Sequence, residues 1–207
     1  VSCNTHNISC IINTIALENE SDDNLISGRF TCIRRSNDVS QASGFIPSPQ
    51  VGSHRDELYG THHAKDASLL FNTLGKQLNL FSSAIKVNTQ YMHVLHFHLV
   101  LKNDITINQL KEKLYNNKHI AITSKIDSCE IFSFGRDHGH FGRILNQTVV
   151  SMPTLHIRNG NEVTGFCFTP QDGNSLLSSV SAACWFIDPE NYENNIQCLS
   201  PFLFQEV

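Results

Sequence analysis

The chain has 207 residues, 40% of them hydrophobic and 16% charged, a balance that supplies a core and argues against disorder. Its formal charge of −4 argues against nucleic acid or an anionic membrane as the main partner. The seven cysteines are scattered, with no C-x-x-C pair. That pattern disfavours a disulfide framework or zinc ribbon and fits a reducing, cytoplasmic setting.

No apolar run reaches the roughly 18 residues that span a bilayer, and no signal peptide is visible. The chain opens on Val1, so an upstream segment is expected. A single domain over 1–207 is predicted, with an irregular tail over 189–207.

In chain order, residues 1–20 predict a turn and then a helix, because Ile8, Ile11, Ile12 and Ile15 fall at i, i+3, i+4 and i+7. Asn4, Thr5 and Asn7 are its candidate N-caps. A strand is expected over 28–35, ending in Arg34 and Arg35, then a Ser/Gly/Pro-rich loop over 36–54 and a short helix over 65–74. The segment 91–101 is the strongest strand candidate. Its period of two puts Met92, Val94, His96, His98 and Val100 on one face, and His93, Leu95, Phe97, Leu99 and Leu101 on the other. Thr106 caps a helix through Tyr115 with Ile107, Leu110 and Leu114 as its stripe. Glycine-rich 134–143 is a loop or helix start. Strands over 146–158 and 162–169 form a hairpin turning at Asn159-Gly160. A last helix covers 175–186. The sum is an α+β domain with a mixed, largely antiparallel sheet and helices on one face.

Cys3 stands just before a helix N-terminus, where unsatisfied N–H groups and the macrodipole favour an anion such as a thiolate and can also hold an oxyanion. A sulfur nucleophile needs a proton-handling group nearby, and His93, His96 and His98 on a strand are candidates. No metal is expected, because His96 and His98 share a face but have no spaced partner. Adjacent Arg34 and Arg35 can clamp phosphate bidentately, with His54, Arg55 and Lys65 downstream able to add to an anion site. His62-His63 is a further pair among 11 histidines.

Together these blocks resemble the catalytic domain of archaeal-type (class II) glyceraldehyde-3-phosphate dehydrogenase. VSCNT at residues 1–5 is similar to that family's V-S-C-N-T-T nucleophile motif, and TCIRRSND to its strand ending in R-R-A-A-D. GFIPSPQVGSH, SSAIKVNTQYMHVLH, FGRDHGHFGRILNQTVV and NGNEVTGFCFTPQD follow with the family's segments in the same order, to about residue 187. The chain departs at His6 in place of the second threonine and at Asn7 in place of the next glycine. It departs again in an inserted Gly-Thr-His-His at 60–63, and at Pro170-Gln171-Asp172 where the family has H-Q-E.

The resemblance implies an oxidoreductase of glycolytic type. Cys3 attacks an aldehyde phosphate to give a thiohemiacetal, hydride passes to NAD or NADP, and inorganic phosphate releases the acyl group from the thioester. It implies His96 as the base, with His93 as its rival, and Asn4, Thr5, Arg34, Arg35 and His54 as substrate and phosphate residues. No G-x-G-x-x-G follows a strand. This chain therefore carries no Rossmann domain, and the cofactor domain is expected upstream or on another chain. Self-association into a homo-oligomer is implied as well. The alternative is a degenerate, inactive homologue serving as a structural subunit of an assembly.

Overall fold

The computed structural model describes residues 2–19, 22–36, 44, 46–89, 91–139, 147–169 and 171–207. Of the predicted segments, parts of the 36–54 loop and residues 140–143 of the glycine-rich stretch lie outside the described residues.

Helix α1 (Cys3–Ile15) forms where the isoleucine stripe predicts it, and Ile8, Ile11, Ile12 and Ile15 are all fully buried. Its cap is Ser2, not Asn4, Thr5 or Asn7: the Ser2 Oγ accepts from the Thr5 N–H at 3.3 Å. After the small ribbon β1 (Leu17–Asn19) and β2 (Asp22–Asp23) comes β3 (Leu25–Arg34). Then follow β4 (Gln50–Val51), α2 (His62–Asn72), β5 (Leu80–Lys86), β6 (His93–Leu101) and α3 (Ile107–Asn116). Thr106 does cap α3, in a reciprocal capping box with Gln109, although Ile107 is exposed and only Leu110 and Leu114 of its stripe are buried.

The remaining elements are β7 (Ile120–Thr123), α4 (Ser128–His138), β8 (Thr148–Ser151), β9 (His156–Arg158), β10 (Glu162–Thr169), α5 (Gln171–Ile187) and α6 (Tyr192–Asn195). The strand expected over 146–158 is two strands. A 3-10 turn at Met152–Thr154 divides them, because Pro153 has no N–H for the ladder. The hairpin turn is where the sequence put it, with Asn159 and Gly160 both at positive φ (53° and 82°). The tail is not wholly irregular, since α6 and a 3-10 stretch at Ile196–Phe202 occupy it.

The main sheet has eight strands, in the order β4-β5-β3-β6-β10-β8-β7, with β9 also on β10. The β3–β5 and β7–β8 pairs are parallel and the rest antiparallel. The fold is thus α+β with an open, mixed, largely antiparallel sheet.

Helices do not lie on one face only. The large core joins α1, α2 and α3 to the face that carries Phe30, Cys32, Leu95, Phe97, Leu99, Val163 and Cys167. A second, smaller core on the other face joins Ile131 and Phe134 of α4 and the C-terminal Phe204 and Val207 to Ala121, Val149 and Phe168. The sequence hid this because β8 is buried on both faces and shows no alternation.

Candidate active site at the head of the first helix

Cys3 is the first residue of α1 and is partly exposed. The Ser2 cap fixes it in place. The Ser2 Oγ lies 2.8 Å from the Thr5 Oγ1 and 3.4 Å from the Nδ1 of His63 on α2. The Thr5 hydroxyl donates in turn to the His63 carbonyl at 3.5 Å. Thr5 is fully buried and Asn4 nearly so. Thr5 therefore ties α1 to α2 rather than facing a ligand.

Strand alternation separates the two rival histidines. His93 shares the α1 face with Leu95 and Phe97, and it is 6% exposed. His96 points to the opposite face, where its Nε2 lies 3.0 Å from the Thr164 Oγ1 and its ring 4.8 Å from that of Phe166. The sheet itself stands between His96 and Cys3, so of the two only His93 shares a face with the thiol. Cys32, whose thiol pKa Cys3 helps to raise, pairs with Leu95, two residues along β6 from His93. The backbone N–H of Arg35 donates to the His93 Nδ1 at 3.1 Å. A ring accepting at Nδ1 is neutral and carries its proton on Nε2.

Arg34 and Arg35 part company. Arg34, the last residue of β3, is exposed and lines a cleft of about 540 Å³ with Arg55, Asp56, Thr61, His62, His63 and Lys65. Arg35 is 7% exposed and does not line it. Neither does His54, whose Nε2 pairs with the Ser83 Oγ at 3.0 Å while its ring packs edge-on against Phe81. The cleft is cationic. Lys65 is matched by Asp56 at 3.0 Å, and Arg34 and Arg55 have no carboxylate partner among the described residues. The head of α2 opens there too, which favours an anion further.

The sequence reading left His62-His63 unassigned, and the Ser2 cap was not foreseen. Two histidines directly before a helical run were the only available signal. His63 is 4% exposed, and its pKa is held down at about 3 by burial first, then by repulsion from His62 and Arg34.

Of the other thiols, Cys184 on α5 is partly exposed like Cys3. Burial pushes Cys10 up to about 11 and Cys32 to about 12, and it also raises Cys167 well above the ordinary thiol value. Cys129 and Cys198 are exposed and lie in other parts of the fold. Asn7, where the family has glycine, is fully buried and bridges three elements. It donates to the Thr169 Oγ1 at 2.5 Å and accepts from the Thr148 Oγ1 at 2.9 Å.

Among the described residues no group of three or more His, Cys, Asp or Glu is placed to hold a metal, and no helix is long and apolar enough to cross a membrane. Neither a protein-family model nor a curated protein sequence matches the chain.

Proposed function

We propose that this chain is the catalytic domain of a phosphorylating aldehyde dehydrogenase of the glyceraldehyde-3-phosphate type. One convergence carries the reading: a partly exposed thiol on the first residue of a capped helix, beside a cationic cleft, on the same sheet face as a neutral imidazole whose proton sits on Nε2. In the proposed chemistry the Cys3 Sγ adds to the aldehyde carbon. The C–S bond forms as the carbonyl π pair moves to oxygen. The first N–H groups of α1 and the Nε2–H of His93 donate hydrogen bonds to that oxyanion, and the proton that the Cys3 thiol releases to solvent returns to it to give the thiohemiacetal. The phosphate of the aldehyde occupies the cleft at Arg34 and Arg55.

The oxidant, NAD or NADP, has no seat among the described residues. No glycine-rich turn joins a parallel strand to a helix there, so the reading requires a Rossmann unit on other residues or another chain. Self-association, the other expectation the resemblance brings, would use the sheet face that carries His96, His98, Thr164 and Phe166. Phe166 is 36% exposed on that face.

The test is alkylation by limiting iodoacetamide at neutral pH, mapped by mass spectrometry. Cys3 is expected to label on the order of tenfold faster than exposed Cys129 and Cys198. Equal rates at the three would overturn the reading. The second reading, an inactive structural homologue, is favoured by Asn7, which stands buried and bonded to Thr148 and Thr169 where the resembled motif has glycine. It predicts that no phosphorylated aldehyde is consumed when a nicotinamide cofactor and a Rossmann partner are supplied.

A further inference from the structure

Histidines collect on the face of the sheet that points away from α1. Residues opposite one another in register project to the same side. One row across the strands therefore holds Phe81 on β5, Arg29 on β3, His98 on β6, Thr164 on β10 and His156 on β9. In the next row His96 stands between Thr31 and Phe166, and His54 packs on Phe81. Four of the 11 histidines thus share this face. None of these side chains is buried, because α1, α2 and α3 pack on the opposite face and α4 packs at the Val94 and Phe168 end. The charges of the face are arranged about β6. Arg29 lies to one side of it on β3, and Glu162, the one carboxylate of these rows, lies to the other side on β10. Arg158 on β9 stands beyond Glu162.

We propose that two copies of the chain pair through this face about a two-fold axis along β6, and that protonation of His96 and His98 opens the pair. The charge pattern selects both the occupant and the axis. A two-fold along β6 turns each side of the face onto the opposite side of a second copy, so Arg29 meets the partner's Glu162 and Glu162 meets the partner's Arg29. A two-fold across the strands would set like charge on like. His96 and His98 lie on the axis strand and meet the same two residues of the partner. Neutral imidazoles tolerate that meeting, and charged ones repel. A charged His98 also draws Glu162, 3.6 Å away on its own chain, away from the partner's Arg29. The other titratable or cationic groups facing the pair, Arg29, Arg158, His54 and His156, only add positive charge as pH falls. The proposal gives the self-association named above an arrangement and a switch, and it does not depend on the chemistry at Cys3.

Sedimentation velocity of the full chain over a concentration series tests this. A dimer is expected at about pH 8, with a dissociation constant on the order of tenfold higher at about pH 5.5. Arg29→Glu and Glu162→Arg should each give monomer at about pH 8, because each sets like charges across the axis. An equal mixture of the two variants should dimerise, since every contact across the axis is then between unlike charges. That rescue separates a lost contact from a damaged fold. His96→Gln combined with His98→Gln should hold the dissociation constant within about twofold between those two pH values. A chain that is monomeric at every pH overturns the proposal, as does a dimer that survives both charge reversals or a mixture that stays monomeric. A dimer that tightens on acidification, or whose pH dependence persists without the two imidazoles, overturns it as well. Slow labelling of Cys3 in a chain that dimerises as described would remove the dehydrogenase reading and leave this one standing, and fast labelling in a monomeric chain would do the reverse.

Discussion

At the level of single residues, the division of labour between His93 and His96 is decided by the pleat. Removing the imidazole on the α1 face should cost the proposed reaction a hydrogen-bond donor to the oxyanion. His93→Ala is expected to lower consumption of a phosphorylated aldehyde by roughly 10²–10⁴-fold, and His96→Ala by less than about threefold. A larger loss at His96 would show that the sheet has been read from the wrong side. The sequence separated the two faces correctly but gave no way to tell which one α1 covers, because both carry apolar residues. Residues outside regular elements were least legible. Arg34 and Arg35 look equivalent as letters, yet β3 ends between them, so one lines the cleft while the other is buried and donates its backbone N–H to His93. Asn7 looked like a defect where the resemblance has glycine. In the fold its two amide ends satisfy Thr148 and Thr169, which would otherwise be buried without those partners.

Among the elements, α1, α3 and β6 were legible because each has a strong period and a clear terminus. β5, β7 and α4 were not foreseen. β5 and β7 each lie beside a parallel partner, where alternation fades, and α4 buries only Ile131 and Gly135. The entrance to α2 is set by Gly60, which has φ +73° and whose Cβ, if present, would meet the Ser82 carbonyl and the Phe81 ring. Ser82 in turn holds the Thr61 hydroxyl and the Ala64 N–H. Gly60→Ala should therefore destabilise the protein by roughly 1–3 kcal/mol in thermal melts and weaken phosphate binding in parallel, because the strain falls on the segment that presents His62 and His63. An unchanged affinity in a destabilised variant would uncouple this corner from the cleft.

On the scale of the molecule, the α+β class and the largely antiparallel sheet followed from the mix of long strands and interspersed helices. The second core did not, because it is assembled from α4, β7, β8 and the chain's last residues, which are far apart in sequence. Those last residues also have a part in the sheet. The Ile122 N–H donates to the Gln205 carbonyl at 3.0 Å and the Val207 N–H donates to the Ile122 carbonyl at 2.9 Å, while the Gln147 side chain grips Phe204 at both its N–H and its carbonyl. The outer edge of β7 is thereby paired at Ile122 by residues 205–207. Trimming residues 204–207 should leave a row of bare amides able to recruit the same rim of a neighbouring molecule, and light scattering should then rise with concentration and time while the full chain stays clear. Such a rise would make residues 204–207 a guard against filament growth, a duty separate from any chemistry at Cys3.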